Sequence, residues 1–344
     1  MRRRLTLGIA VVVALALVVA ACGGGDSKSS TKKAPKAQVA PLTGLPDPAG
    51  ESLKRPALEV KVENADERGV RPQAGLQAAD VVYEEVVEGL ITRFLAVYNS
   101  SLPDTVGPIR SVRATDPNIV WPLGGVFAYS GGAAPNVELI RQAPVNAVDE
   151  TAAGSAMFRD RSRPAPHNLF GRPAELIAKG GRPVPPPALF QYLGNKEQSP
   201  GDPASAVHIG FSPGFDPTYT YDAPSRTWKR SYGNKPFTVA SGEQVAPANV
   251  VVQFTEYQGG AGNPTAEGMT VGQGDVWVFT DGKVVKGRWT RPAKEQPAQY
   301  VDGAGKPIKL LPGRTWVHLL PVGSAIDVTA PPPPASTPPT TKKK

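Results

Sequence analysis

The chain has 344 residues, and its 38 prolines and 36 glycines argue against a helical bundle or a coiled coil. With 40% hydrophobic and 20% charged residues it can bury a core, which disfavours wholesale disorder and a multi-span membrane protein. The net charge of +8 lies in the terminal segments, which leaves −1 for residues 41–341, so a basic face for nucleic acid is not expected.

The first predicted element is a bacterial lipoprotein signal peptide, residues 1–21. Three arginines precede an apolar run from Leu5 to Ala20, and small residues lead up to Cys22. The alternative is a single transmembrane anchor, but the run is shorter than the ~20 residues that span a bilayer. We therefore predict that the Cys22 thiol carries diacylglycerol, with palmitate as a further lipid. Since Cys22 is the one cysteine, intramolecular disulfides and cysteine-ligated metals are excluded.

Both ends of the mature chain are simple in composition. Residues 22–40 are rich in glycine, serine, lysine and alanine, which predicts a flexible tether. Residues 330–344 form a proline, threonine and lysine tail that we expect to be disordered. From the signal peptide and the lipid on Cys22 we expect the protein at the extracytoplasmic face of the cell membrane, with the tether holding its body close to that membrane.

Between the ends, a proline-rich linker at residues 182–203 predicts a boundary between two domains. The predicted fold class is α+β: a mixed α/β domain at residues 41–181, followed by a smaller, mainly-β domain at residues 204–329. The predicted strands and helices are Ala57–Glu63, Val81–Val87, Ile91–Tyr98, Val126–Tyr129, Pro135–Gln142 (helix), Ala174–Lys179 (helix), Val207–Phe211, Tyr219–Tyr221, Val250–Tyr257, Val276–Phe279, Lys283–Trp289 and Thr315–Leu320. Asp281-Gly282 predicts a tight hairpin turn.

The two predicted domains use different basic residues. Every cation from Val62 through Ala178 is an arginine, whereas lysine predominates after Pro183. Arginine is favoured where a planar fork must bind a carboxylate or a phosphate at two points, which makes the first domain the candidate ligand-binding domain. The alternative is that these arginines only pair with the fourteen acidic residues of the same segment.

One ion-pair cluster can be predicted from strand register. A two-residue turn at Gly89-Leu90 would place Arg93 opposite Val86 and diagonal to Glu84 and Glu88. Unpaired charges on an apolar strand face are costly, so these side chains should pair. The cluster could be structural or could form the floor of a site.

Two loops concentrate polar side chains, at residues 107–113 and 158–168. His167 is one of three histidines, and we consider it a candidate general acid or base, with Asp160 or Glu84 to orient it. Its other reading is a hydrogen-bonding residue of the core. The candidate ligand-binding residues are Arg93, Arg110, Ser111, Arg113, Arg159, Arg163, Asn168 and Glu88.

Other chemistry finds little support in the sequence. No histidine pair has metal-ligand spacing, and nucleotide-binding and hydrolase motifs are absent, so we predict neither a metal nor a cofactor. Trp277, Trp289 and Trp316 could stack on sugar rings, although core packing is the commoner use of such residues.

Several motifs resemble a known family. They are Val81-Val82-Tyr83-Glu84, Glu88-Gly89, Ile91–Phe94, Gly107–Arg113 and Ala165–Asn168, with Asn249–Tyr257, Gly274–Trp289 and Gly313–Pro321 in the second domain. Together they resemble the YerB-like lipoproteins of Gram-positive bacteria, which have DUF3048 N- and C-terminal domains of unknown function. The resemblance covers about residues 41–322 and implies a two-domain, membrane-anchored envelope protein with no established activity. It also implies that Glu84, Glu88, Arg93, Arg110, Ser111, Arg113, His167 and Asn168 belong to the family pattern.

Three functions remain open at this point. The first is binding of an anionic envelope ligand, such as peptidoglycan, teichoic acid or a polyprenyl phosphate, with Arg110, Arg113, Arg159 and Arg163 as the clamps. The second is an envelope hydrolase or transferase that uses His167, with Ser111 as a possible nucleophile. The third is a scaffold that binds cell-wall synthesis proteins.

Overall fold

A computed structural model describes residues 38–180 and 184–332. Short helices are few, and strands dominate. The α-helices are α1 (Asp116–Val120), α2 (Ala134–Gln142), α3 (Glu150–Ala153) and α4 (Pro173–Ile177); short 3-10 helices cover Glu51–Lys54, Leu76–Ala78, Glu88–Leu90 and Gly154–Ala156. The helices predicted near residues 135–142 and 174–179 are confirmed within a few residues.

Twenty strands are present in the described residues. They are β1 (Leu58–Glu63), β2 (Val81–Val86), β3 (Thr92–Tyr98), β4 (Gly125–Ala128), β5 (Val145–Val148), β6 (Met157–Arg159), β7 (Leu169–Gly171), β8 (Asp202–Pro203), β9 (Ala206–Ile209), β10 (Pro217–Asp222), β11 (Thr227–Tyr232), β12 (Lys235–Pro236), β13 (Asn249–Thr255), β14 (Tyr257–Gln258), β15 (Glu267–Gly268), β16 (Gly272–Thr280), β17 (Lys283–Arg291), β18 (Gln299–Asp302), β19 (Thr315–Pro321) and β20 (Ile326–Thr329). Mixed α/β structure before residue 182 and mainly strands after it confirm the predicted fold class.

One large sheet runs through both halves of the chain. Its order is β18-β17-β16-β13-β19-β2-β3-β1-β4-β5, and β8 pairs with β17. The late strand β19 lies parallel to both β13 and β2, with Trp316 opposite Val250 on one side and Val82 on the other. The two predicted domains are therefore segments of sequence whose strands share a sheet, and β19 joins them.

The two faces of the large sheet are both covered. On one face, Val82, Phe94 and Trp316 belong to a core cluster with Tyr219 and Trp228, which come from a second sheet of order β12-β11-β10-β9-β20. On the other face, the core contains the intervening residues Val81, Leu95 and Phe127 together with Ile119 of α1 and Ile140 of α2. Because successive side chains of a strand point to opposite faces, β2 and β3 contribute to both cores.

Two turns test the sequence analysis directly. The Asp281-Gly282 hairpin is confirmed, with Thr280 paired to Lys283 and positive φ angles of 50° and 69° at the two turn residues. The register predicted for the preceding hairpin is wrong by one residue. The loop between β2 and β3 has three residues, Glu88–Leu90, closed by a hydrogen bond from the Val87 N–H to the Ile91 carbonyl. Arg93 therefore lies opposite Glu85 rather than Val86.

Several predictions lie outside the described residues. These are the signal peptide, lipidation at Cys22, nearly all of the tether, residues 181–183 and most of the C-terminal tail. Within residues 38–180 and 184–332, no helix is long and apolar enough to cross a membrane.

Candidate functional site

A row of charged residues crosses three neighbouring strands of the large sheet. Arg93 of β3 lies opposite Glu85 of β2 on one side and opposite Glu63 of β1 on the other. The 107–113 loop runs alongside the end of β1 in space, and there the Arg110 N–H donates to the Lys61 carbonyl at 2.9 Å. This contact brings the two arginines of the loop to the same face of the sheet as Arg93.

We call Arg93, Arg110 and Arg113 the arginine cluster. Glu88 holds two of its members: Arg93 Nη2 donates to Glu88 Oε1 at 3.1 Å, and Arg113 Nε donates to Glu88 Oε2 at 2.6 Å. Arg113 Nη2 also contacts Glu88 Oε1. The carboxylate of Glu88 thus occupies a fork formed by two guanidinium groups, the geometry in which arginine binds anions most strongly.

The electrostatics of the cluster follow from this crowding. Burial and the positive charge of Arg113 together lower the pKa of Arg93 to about 10, and the negative charge of Glu88 offsets them only in part. Burial alone would raise the pKa of Glu88, but the hydrogen bond from Arg113 and the charge of Arg93 bring it down to about 2. Both groups are therefore ionised at neutral pH. The Nε of Arg93 is buried and has no hydrogen-bond partner among the described residues.

Arg110 leads from the cluster to His167. Arg110 Nε donates to Glu63 Oε1 at 2.8 Å, and His167 Nδ1 lies 2.9 Å from Glu63 Oε2. The other ring nitrogen, Nε2, lies 3.0 Å from Glu67 Oε2. Both nitrogens of His167 thus contact carboxylates, neither of which was predicted as its partner.

The prediction that Asp160 or Glu84 orients His167 is wrong. Asp160 accepts hydrogen bonds from the backbone and the hydroxyl of Ser162, which fixes its own loop. Glu84 lies on the opposite face of the sheet, because it precedes Glu85 by one residue in β2. For the same reason the predicted pairing of Arg93 with Glu84 is wrong, whereas its pairing with Glu88 is confirmed.

The remaining predicted site residues have structural partners. The hydroxyl of Ser111 donates to the Ser130 carbonyl at 3.1 Å rather than to His167 or a carboxylate. Arg159 donates to Asn168 Oδ1 at 2.9 Å and to the carboxylate of Glu150.

Arg163 is likewise held within its own surroundings. It donates to the carbonyls of Gly69 and Pro72, and its guanidinium lies over the Phe170 ring. The expected clamps Arg159 and Arg163 are therefore used within the fold and lie outside the arginine cluster.

A second charged cluster, which was not predicted from the sequence, lies on the opposite face of the large sheet. Arg230 of β11 donates to both oxygens of Glu84, at 2.9 and 3.1 Å, and both side chains are fully buried. Its guanidinium lies 4.7 Å from the Trp316 ring centroid and 4.9 Å from that of Phe237. His318 Nδ1 lies 3.1 Å from Glu84 Oε2, and burial lowers the pKa of this histidine. One signal was available in the sequence. Trp228, Arg230 and Tyr232 stand at every second position of β11, so Arg230 shares its face of the strand with two aromatic residues.

The tryptophans considered for sugar stacking fill the core. Trp289 and Trp316 are each 2% exposed, and Trp316 packs edge-on against Phe94. Trp277 is partly buried against Phe254, with the Lys286 ammonium over its ring. Core packing therefore accounts for Trp289 and Trp316, and the Lys286 ammonium covers one face of Trp277.

Comparisons with known proteins agree with this architecture. The family model described as "Protein of unknown function (DUF3048) N-terminal domain" matches residues 42–182, and its C-terminal counterpart matches residues 207–317. The protein named "Putative lipoprotein YerB" from Bacillus subtilis strain 168 is 30% identical over 326 residues, which cover 88% of this chain and 92% of that protein. The crystal structure of the YerB protein from Bacillus subtilis superposes with a TM-score of 0.71 at 23% identity, covering 84% of this chain and 99% of that one.

The fold defines the class of protein. It is a sheet-dominated protein of two sequence segments, in which β19 of the second segment joins the strands of the first, and its fold is similar to that crystal structure. Both family models match, and together they span well over half of the sequence, so the chain belongs to the DUF3048 family.

Proposed function

We propose that this chain is a lipoprotein, anchored through a lipid on Cys22 at the extracytoplasmic face of the cell membrane, and that its arginine cluster binds an anionic group of a cell-envelope polymer. The N-terminal motif and the name of the Bacillus relative support the anchor. The ligand chemistry is that of a carboxylate or phosphate, as found in peptidoglycan stem peptides, teichoic acids and polyprenyl phosphates.

The observation that carries the proposal is the position of Glu88 in the fork of Arg93 and Arg113. Glu88 comes from a three-residue loop and is 34% exposed, whereas Arg93 beneath it is nearly buried. An external carboxylate or phosphate can replace this side chain without rearrangement of the sheet. Arg110, which is 22% exposed, lies beside the fork, and within the described part of the chain Glu63 is its one ion-pair partner.

The balance of charge also favours an added anion. Glu88 is shared by two guanidinium groups, so one further negative charge would relieve the repulsion among the three arginines. A charge-assisted hydrogen bond contributes about 1.5–3 kcal/mol, so one arginine of the fork accounts for roughly a tenfold to hundredfold change in affinity.

The test is sedimentation of the full-length protein with purified peptidoglycan sacculi, prepared with and without their teichoic acid. The Arg113→Ala variant should lose at least about tenfold in binding. The matched control is Arg288→Ala, which removes an exposed arginine whose partner Asp275 is also exposed. Equal sedimentation of Arg113→Ala and the wild type would overturn the proposal. Binding that requires teichoic acid identifies phosphate as the ligand, and binding to stripped sacculi identifies the peptide carboxylates.

The supernatant of the same experiment tests the enzymatic alternative. His167 is held between two carboxylates and the Ser111 hydroxyl donates to a backbone carbonyl, so the wild type should release no wall fragments. Fragments that disappear with His167→Ala would replace the binding function by a hydrolytic one.

A further inference from the structure

A lysine and two carboxylates meet in the sealed interior beneath the arginine cluster. Lys61 of β1, Glu85 of β2 and Asp116 at the start of α1 all have fully buried side chains. Lys61 Nζ lies 2.7 Å from Asp116 Oδ1 and is also in close contact with Glu85 Oε1. The second oxygen of Asp116, Oδ2, accepts a hydrogen bond of 2.7 Å from the backbone N–H of Arg113.

The charges of this triad do not balance if all three groups are ionised. One ammonium faces two carboxylates, and all three side chains are fully buried. Burial raises the pKa of Glu85 above its usual value; the attraction of Lys61 opposes this, and the negative charge of Asp116 adds to it. The site thus favours the protonated form of Glu85, whose Oε2 has no hydrogen-bond partner among the described residues.

We propose that Lys61 and Asp116 are joined by an intramolecular amide bond that forms spontaneously in the folded protein. The ammonium first passes a proton to the Asp116 carboxylate, which gives a neutral amine and a carboxylic acid. The amine nitrogen then attacks the carboxyl carbon, the C–OH bond breaks and one water molecule leaves. Glu85 carries the proton from the nitrogen to the departing hydroxyl and recovers its own, so no oxidant or other reactant is consumed.

The surroundings supply what this reaction needs. The Lys61 nitrogen already lies within hydrogen-bonding distance of Asp116 Oδ1. Little motion is therefore needed to bring it to roughly 3–3.5 Å from the carboxyl carbon, the separation from which attack begins. The Arg113 N–H is positioned to stabilise negative charge on Oδ2 when the carboxyl carbon becomes tetrahedral. Formation of the amide also removes two opposite charges from a fully buried site, where ionised groups are costly.

The bond would connect two elements that are distant in sequence. Lys61 and Asp116 are 55 residues apart, and the chain has one cysteine, so an intramolecular disulfide cannot supply such a link. An amide between β1 and α1 would also fix the start of the helix that follows the 107–113 loop. This inference is independent of the proposed ligand.

Mass spectrometry of the full-length protein, denatured completely and digested with trypsin, tests the proposal. The wild type should yield one branched peptide that contains both Lys61 and Asp116, and its mass should be one water less than the sum of peptide 55–68, uncleaved at Lys61, and peptide 114–141. Cleavage after Lys61 should be absent. Separate peptides with cleavage after Lys61 in the wild type would overturn the proposal, whether or not any variant folds.

Two variants assign the roles. Lys61→Arg keeps the charge but should give separate peptides, because guanidinium is a poor nucleophile. Glu85→Gln keeps the shape of the side chain and removes its proton-carrying function, so most of its molecules should remain unlinked. A fully linked Glu85→Gln protein would refute the role of Glu85 in the reaction.

Discussion

The buried pair of Arg230 and Glu84 should be the largest single polar contribution to the cohesion of the two segments. Arg230 belongs to the second sheet and Glu84 to the large sheet, and they are separated by 146 residues in sequence. Replacement of Arg230 by Met keeps most of the volume but leaves the Glu84 carboxylate without its guanidinium partner. Its nearest remaining neighbours would be His318, at 3.1 Å from Oε2, and the Thr92 hydroxyl, which donates to Oε1 at 2.8 Å; neither carries the permanent charge of arginine.

Two features of the structure set the magnitude. Burial raises the pKa of Glu84, but the charge of Arg230 and hydrogen bonds from His318 and Arg230 lower it from 4.5 to about 2. A pKa difference of this size corresponds to about 3 kcal/mol of interaction with the ionised form. Loss of one partner of a buried pair typically costs about 3–5 kcal/mol, so Arg230→Met should lower the free energy of unfolding by that amount.

Urea denaturation at pH 7, followed by tryptophan fluorescence, measures this loss. Arg288→Met is the matched control, because its ion pair with Asp275 is exposed and should contribute at most about 1 kcal/mol. The double variant Glu84→Gln/Arg230→Met should be clearly more stable than the sum of the single losses predicts, since it leaves no unpaired charge. A loss for Arg230→Met no greater than that of the control would refute the reasoning.

Three further results are expected. Because the pKa of Glu84 is lowered in the folded state, its stabilisation is complete above pH 4.5 and disappears as the pH falls towards 2, so acid titration of stability should show this loss in the wild type and not in Arg230→Met. Glu59 is fully buried with no partner for either oxygen among the described residues, and burial raises its pKa well above 4.5. The free energy of unfolding should therefore fall as the pH rises above 4.5. Urea denaturation at pH 5 and pH 8 should show this fall in the wild type and not in Glu59→Met. Gly125 has a φ of 96°, and a Cβ added there would collide with the Ala57 carbonyl. Gly125→Ala should lower the free energy of unfolding by about 2–3 kcal/mol, against about 1 kcal/mol for Gly131→Ala, where the added Cβ meets open space. Equal losses in urea denaturation would contradict the steric argument.

The strands were predictable because apolar residues recur with a period of two or in short runs bounded by turns. The Asp281-Gly282 turn was predictable because it needs two positive φ angles, which these residue types adopt readily. The turn before β3 was not, because Leu90 adopts a φ of 61° and Glu88 joins Gly89 and Leu90 as a third loop residue. That single residue changed which glutamate faces Arg93.

The charged clusters were predictable only where their members are close in sequence. Glu88 and Arg93 belong to one hairpin, so their pairing could be inferred. Glu84–Arg230 depends on how distant strands assemble, and strand order cannot be read from local pattern.

β1 posed a different difficulty. Its alternation of apolar residues with Glu59, Lys61 and Glu63 is typical of a strand with one solvated face, yet the helices and the 107–113 loop bury that face completely.

The most direct test of the binding function is to remove the side chain that occupies the arginine fork. If Glu88 stands where a ligand anion binds, Glu88→Ala should increase the affinity of the full-length protein for purified sacculi by about tenfold, because a competing carboxylate is gone. The increase should be lost again in Glu88→Ala/Arg113→Ala. Affinity of Glu88→Ala that is equal to or weaker than that of the wild type would contradict the account.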